Sequence, residues 1–542
     1  MELNLLIGGE AGQGLASFEN TLVDILSKLR FRFFATKNYM SRVRGGHNYH
    51  MFRISENPVH ALSGDGWDIV VALDRESEQR HKPDLKKGGL FISLEMTEEL
   101  NKQAREKYGR ITAANEILSG LVLSAMGCGD GDIARIEGDS LDPVRTGFSL
   151  ANKWDVADRY PLSTRAGDHY RLDGNQALAI GALLGGCQFM AGYPMTPSTS
   201  IMVYFAAAAL ELTVHFEQAE DEIAALNMAL GASYAGLRSM VATSGGGFAL
   251  MQEAVSLSGM TETPVVIIVG QRPGPSTGLP TRTEQADLNF VLHAGHGEFP
   301  RIVFAPGSPA EAVLLARKSF ELADRFQIPV FILSDQYFAD SQQIIEEPLD
   351  TGIIAREYNV YGSDYRRYAI TENGVSPVTY PGLGDALVRV DSDEHDESGS
   401  ITEDLNLRVR MVDKRLAKFR GIRDEAIAPT PMGEADADVF LVCWGSNGPI
   451  VKEAVERLGG EGIRVGGLHF GQVFPLTPGM IDRYGLQRRK VVAVENNATA
   501  QFAGLLKREL DITVSGRILK YDGTCFTVNE LCNEMRTYFR KV

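Results

Sequence analysis

The sequence predicts an α/β protein of three units whose sheets are mostly parallel. Short apolar runs such as LNLLIGG, DIVVAL, PVVIIVG, PVFILSD and DVFLVCWGS alternate with amphipathic or small-residue stretches, the strand–helix–strand rhythm of a parallel sheet. Glycine, at 56 residues, is enriched and sits at several points where a run ends and a helical stretch begins. The 542 residues suffice for about three or four compact units, which excludes a single small binding module.

The first unit spans residues 1–160, with LNLLIGG, FRFFAT, DIVVAL and GLFISLE as strands and a helix near Ser17 to Leu29. WDVADRYPLSTRAGDHYRLDG then reads as a linker ending near Arg171. A second unit covers 172–342, with strands MVATS, PVVIIVG, RIVFAP and PVFILSD. From 343 to 430 the alternation is lost, and an irregular connecting segment rich in Pro, Gly and Tyr is expected. It carries the acidic run Asp391 to Asp404, read as a solvated loop. Residues 431–542 form a third α/β unit with strands DVFLVCWGS, IRVGGLHFG and KVVAVEN.

Composition narrows the function. Seventy acidic residues against 54 basic ones give a formal charge of −16, and no long basic run tracks a phosphate backbone, which argues against nucleic acid as a partner. Five scattered cysteines without any CxxC fit a reducing compartment and supply no ligand set for an iron–sulfur cluster or a structural zinc. The start lacks a basic n-region, and no apolar run approaches about 18 residues, so a cytoplasmic chain without a membrane span is expected.

Several motifs carry chemistry. Gly8, Gly9, Gly12 and Gly14 end the first strand, where backbone amides can face a phosphate or where helix and sheet simply pack closely. Arg42, Arg44 and His47 cluster on a Gly-Gly turn that either meets an anion or a partner's acidic face, or is a solvated basic loop. Gly129-Asp130-Gly131 imitates the start of a magnesium-diphosphate motif, but Asn152 falls short of the required spacing, and the segment reads as an ordinary turn. In the second unit, Thr196 lies between Pro194 and Pro197 at a strand's carboxyl end. Glu220, Asp221 and Glu222 open a helix of small residues. The first two read as complements to the helix dipole, and Glu222, nearest the tightly packed body, is the candidate desolvated carboxyl. Gly245, Gly246 and Gly247 follow MVATS, where a flat ring or an anion can approach the backbone. Arg272 ends PVVIIVGQ, placed either to grip a carboxylate bidentately or to form a salt bridge within its loop.

Together, GNQALAIGALLGGC, YPMTPST, EDEIAALNMALGASYAG, ATSGGGFALM, GQRPGPSTGLPT and HAGHGEFPR resemble the fused gamma-plus-alpha subunit of the 2-oxoacid:ferredoxin oxidoreductases, in that family's order. GGEAGQG and VRGGHNYH resemble its gamma domain, and VENNATAQFAG with SDEHDESG the last part of alpha, so nearly the whole chain is covered.

The resemblance implies a gamma-type domain, a thiamine-diphosphate pyrimidine-type domain and a transketolase C-terminal-like domain. It implies thiamine diphosphate with Mg2+ shared with a beta subunit, and Glu222 touching the cofactor's pyrimidine so that the imino tautomer can remove the thiazolium proton. Tyr193, Pro194, Gly246 and Gly247 would line that cofactor, and Thr196, Arg272 and Thr281 the 2-oxoacid carboxylate. The implied reaction is oxidative decarboxylation with acyl transfer to coenzyme A, electrons passing through a four-iron four-sulfur cluster on the beta subunit to ferredoxin. No metal site is expected on this chain, which would be half an active site in a dimer of alpha-beta heterodimers. 2-Oxoglutarate is the expected substrate, with pyruvate and branched 2-oxoacids as alternatives. A self-contained transketolase-like enzyme and a non-catalytic nucleotide-binding protein are the rival readings.

Overall fold

A computed structural model describes residues 1–41, 45–134, 136, 141–163 and 165–541. The chain divides into two compact units, one of residues 1–173, 340–347 and 527–533, the other of 174–339, 348–526 and 534–542.

The first unit is built on a seven-stranded sheet in the order Leu85–Ile92, Trp67–Ala72, Glu2–Ala11, Gly45–Ser55, Arg32–Asn38, Gln342–Ile345, Tyr170–Asp173. Its first three strands are parallel and the others antiparallel. The reason lies in the connections: only residues 39–44 separate Arg32–Asn38 from Gly45–Ser55, too few for a crossover helix, so the two strands form a hairpin. Leu3, Leu5, Leu6 and Ile7 are all 0–1% exposed, because this central strand is covered on both faces. The helix Leu15–Lys28 supplies one cover through Phe18, Leu22 and Leu26, which share a face and are fully buried.

Residues 170–173 and 342–345, expected at the end of a linker and at the edge of an irregular segment, pair instead as strands of this sheet. Gln342 Nε2 donates to buried Glu19 Oε1 at 2.8 Å and Arg32 Nη2 to Glu346 at 2.8 Å, which ties the returning strand in place. Gly12 and Gly14 adopt φ of 98° and 91°, whereas Gly8 and Gly9 lie in the strand, where a Cβ would meet Ser77 and Gln13 within 2.8 Å. Close packing therefore explains Gly8 and Gly9, and left-handed backbone Gly12 and Gly14. Arg42 and Arg44 lie outside the described residues. His47 is no part of a solvated basic loop: it is buried, with Nε2 2.8 Å from His81 Nε2, and burial with His47 alongside pulls His81 down to about 4. Gly129-Asp130-Gly131 opens the short helix Asp130–Ile133, with the Gly129 N–H donating to Asp132 Oδ2, and Asn152 sits in the helix Asp142–Lys153.

The second unit carries two sheets. The larger runs Gln472–Phe474, Ile302–Phe304, Pro329–Asp335, Val265–Gln271, Ser239–Ser244, Phe189–Gly192, His215–Gln218, parallel except at the Gln472–Phe474 edge. The smaller runs Thr430–Gly433, Gly466–Phe470, Val439–Trp444, Lys490–Glu495, Gly516–Leu519, parallel except at Thr430–Gly433. The chain is thus α/β with mostly parallel strands. One continuous apolar cluster joins the two sheets, from Phe248 and Phe331 to Phe470 and Phe502, each fully buried. Burying a side chain of this size contributes about 1.5–3 kcal/mol.

The stretch 343–430 is less irregular than its composition suggests, because it ends in the helix Leu405–Asp424. That helix buries Met411, Lys414, Arg415, Lys418 and Ile422. Lys414 and Lys418 both pair with Glu262, the former at 2.6 Å, and Arg367 donates to the Glu262 carbonyl at 2.7 Å. The acidic run is not a solvated loop either. Glu394 accepts from Arg415 at 2.8 Å and from Arg408, Asp396 accepts the Ser398 and Ser400 N–H groups, and His395 is fully buried against Tyr368. Among the described residues, no helix is long and apolar enough to cross a membrane.

Candidate active site

In the larger sheet of the second unit, Phe189–Gly192 is laid down first, His215–Gln218 joins one side, and the chain then crosses back to place Ser239–Ser244 on the other. Such a reversal opens a crevice at the carboxyl ends of the strands. Residues 193–197, 219–222, 245–247 and 272–287 all leave their strands at this edge.

Glu222 is the first residue of the helix Glu222–Tyr234 and only 3% exposed. Its neighbours behave differently. Asp221 caps the helix by accepting the Ala224 N–H at 2.7 Å, Glu220 is exposed, and Ile223 is 50% exposed. Glu222 Oε1 is buried with no hydrogen-bond partner, as are Thr243 Oγ1 and Ser244 Oγ at the end of the next strand. A Cβ on Gly247 would lie 2.3 Å from that Glu222 oxygen and 2.2 Å from Thr243 Oγ1, so only glycine fits there. Gly246, one residue earlier, is exposed. Leaving a carboxylate oxygen buried and unpaired costs about 1–3 kcal/mol or more, which favours a hydrogen-bonding ligand.

Arg272 follows the strand Val265–Gln271 and donates from Nη1 to the Thr196 carbonyl at 3.0 Å, bringing two expected site residues together. Burial lowers its pKa, and the charge of Asp287 opposes that effect. The Thr196 loop is pinned from behind by Asn175 Nδ2, which donates to the Pro197 carbonyl at 2.8 Å. Tyr193, 39% exposed, and exposed Pro194 lead into this loop. Thr281 is half-buried further along the Arg272 loop, beyond a turn in which the Leu279 N–H reaches the Pro273 carbonyl.

Four residues of this region escape a motif-based reading: Gln271, Gln285, Asp287 and Asp335. Gln285 is a buried hub that donates to the Trp444 carbonyl at 2.9 Å and accepts from Asn447 Nδ2 at 2.7 Å and the Asn496 N–H at 3.1 Å. Asp335 accepts from Ser446 Oγ at 2.6 Å and Thr283 Oγ1 at 3.1 Å. Burial raises the Asp335 pKa, and these bonds hold it back. The smaller sheet's carboxyl edge therefore anchors the Arg272 loop. In VENNATAQFAG, Glu495 is spent on the Trp444 indole, Asn497 and two helix N–H groups. Among the described residues, no group of three or more His, Cys, Asp or Glu is placed to hold a metal ion.

Residues 180–414 match the family model "pyruvate flavodoxin/ferredoxin oxidoreductase, thiamine diP-bdg", and residues 4–120 match "pyruvate ferredoxin/flavodoxin oxidoreductase". The 2-oxoacid:ferredoxin oxidoreductase subunit alpha of Sulfolobus sp. is 30% identical, the alignment covering 98% of this chain and 96% of that one. The chain belongs to the 2-oxoacid:ferredoxin oxidoreductase family, as an alpha subunit. The 2-oxoglutarate synthase subunit KorA of Methanocaldococcus jannaschii is 35% identical over 60% of this chain and 88% of that relative. The solved 2-oxoglutarate:ferredoxin oxidoreductase from Magnetococcus marinus, with 2-oxoglutarate, coenzyme A and succinyl-CoA bound, superposes with a TM-score of 0.89 at 28% identity, covering 99% of both chains.

The residues present suit the pyrimidine half of thiamine diphosphate. A buried, unpartnered carboxylate oxygen lies beside a glycine turn at which a Cβ on exposed Gly246 would meet nothing within 4 Å, and both fall within the segment that matches the thiamine-diphosphate-binding family model.

Proposed function

We propose that this chain is the alpha half of an oxidoreductase that couples decarboxylation of 2-oxoglutarate to acyl transfer onto coenzyme A, with two electrons passed singly to ferredoxin. The unpartnered Glu222 oxygen on the Gly245–Gly247 turn, with Arg272 on the same edge, carries this reading. Thiamine diphosphate, when bound, supplies the thiazolium carbon that attacks the 2-oxo carbon. Glu222 would hold a proton at the pyrimidine ring nitrogen, with Tyr193, Pro194, Gly246 and Gly247 bordering the ring. Arg272 would take the 1-carboxylate, with Thr196 and Thr281 beside it. The choice of 2-oxoglutarate draws support from the KorA relatives and from the ligands of the Magnetococcus marinus enzyme.

Magnesium and a four-iron four-sulfur cluster fall to a beta subunit, within a dimer of alpha-beta heterodimers in the cytoplasm. Exposed apolar side chains around the crevice suit such a partner: Val203, Ile223 and Leu250 are 64%, 50% and 52% exposed.

Two measurements on the assembled complex test the reading. Across a panel of 2-oxoacids, 2-oxoglutarate should give the highest kcat/KM, and a preference for pyruvate or a branched 2-oxoacid would reassign the substrate. Arg272→Lys keeps the charge and loses the planar fork, so kcat/KM should fall by roughly 1.5–3 kcal/mol, about 10- to 150-fold, while cofactor proton exchange is preserved. Unchanged kinetics would remove Arg272 from the substrate pocket.

A further inference from the structure

The helix Leu405–Asp424 carries two faces. One is buried and largely polar: its Lys414, Arg415 and Lys418 reach Glu262, Glu394 and the Gln327 carbonyl. The other is apolar and runs through Leu405, Val409, Val412, Leu416 and Phe419, spaced four, three, four and three residues apart. At about 100° per residue this spacing keeps all five in one stripe, centred about 130° around the helix from the buried face. The far end of the stripe is covered by the chain itself, where Phe419 meets Phe474 edge-on with ring centroids 6.3 Å apart. Its near end is bare. Leu405 is 80% and Val409 59% exposed, and none of residues 405–410 is buried. Apolar side chains exposed singly need no explanation, but a seam at heptad spacing that starts under cover and runs on into water does.

Two charges flank the bare end, Arg408 on one side and Asp413 on the other. Glu394 holds Arg408 in place from within the chain, whereas the exposed Asp413 carboxylate has no hydrogen-bond or ion-pair partner among the described residues. If two such helices lie side by side in the same direction, each flank faces the opposite flank of its neighbour five residues on, which brings Arg408 to Asp413 twice across a two-fold axis. In the opposite direction like flanks meet, and Arg408 would face Arg415. A β-branched Val409 alternating with Leu405 is also the layer order that favours two strands.

We propose that this seam docks on the same seam of a second copy of the chain, the two helices packed in parallel about a two-fold axis. This rests on the reading of the enzyme as a dimer of alpha-beta heterodimers, and it names the surface through which the two alpha subunits meet. Three turns of helix cover less than the roughly 800 Å² per partner of a standard interface, so the seam adds to other contacts between the two halves.

The test uses the assembled complex. Leu405→Cys places a thiol beside the axis, where the Cα atoms of two copies come within the roughly 4.4–6.8 Å that a disulfide spans. Mild oxidation with diamide should then join two alpha chains. The wild type, with four cysteines buried and Cys525 half-buried, should form no such bridge. Leu405→Asp combined with Val409→Asp changes only exposed positions, so the melting temperature should hold, while the dissociation constant between heterodimers should rise about tenfold or more. In a complex that is dimeric, Leu405→Cys that bridges to the beta subunit, bridges only when mixed with Val409→Cys chains, or forms no bridge would overturn the proposal, and so would an unmoved dissociation constant in the double variant. A wild-type complex with the mass of one heterodimer would remove the assembly reading first, and this docking with it.

Discussion

Glu222→Gln in the assembled enzyme is expected to lower turnover by about 10²- to 10⁴-fold, the usual contribution of a positioned acid–base group. The side chain keeps its size and can still hydrogen-bond, so the helix Glu222–Tyr234, whose cap is Asp221, should form as before. What is lost is a carboxyl able to exchange a proton at a site where its oxygen finds no partner within the protein. Proton exchange at the thiazolium carbon, followed by NMR in the complex, isolates that step from substrate binding. A much slower exchange with normal cofactor affinity is the predicted result. An exchange rate equal to that of the wild type would make Glu222 no more than a buried helix-terminus carboxylate.

The second large effect is on stability. Glu262 is buried between Lys414 and Lys418, whose side chains are 0% and 1% exposed. Burial would raise the Glu262 pKa, but Lys418 and Lys414 outweigh it and keep the carboxylate ionised, while burial pulls both lysines down. Glu262→Ala strands two ammonium groups in the interior, and breaking a buried pair in this way costs about 3–5 kcal/mol. Urea unfolding should show that loss, together with release of the helix Leu405–Asp424 from the protein. Asp24→Ala, which breaks the exposed Lys28–Asp24 pair, should leave the transition unmoved. An equally small change for Glu262→Ala would mean that apolar packing alone holds the helix.

That same helix shows where sequence patterning stops being legible. Its buried face is carried by Lys414, Arg415 and Lys418 alongside Met411 and Ile422, so no apolar period marks it. The acidic run before it looks solvated for a related reason: its partners, Arg408 and Arg415, lie on the helix that the pattern hides. The central strands were legible because both their faces are covered, which makes Val265–Gln271 and Pro329–Asp335 continuous buried runs. The return of Gln342–Ile345 to the first sheet depends on Glu19 and Arg32, far away in sequence, and leaves no local mark. At the crevice, Glu222, Gly247, Thr196 and Arg272 stand out because residue type and strand-end position coincide. Asp287 does not, since an acidic residue just before a helix reads as a cap until the structure shows that it caps nothing.

Whether this chain supplies one half of a shared active site is decided by comparing it with and without its partner. Coenzyme A-dependent release of CO2 from carboxyl-labelled 2-oxoglutarate, with ferredoxin as acceptor, is measured for the purified chain alone and for the chain with its beta subunit, alongside bound iron. The chain alone is expected to show no turnover and no stoichiometric iron, and the complex to show both. Turnover by the isolated chain, or iron bound to it in stoichiometric amount, would contradict a shared site.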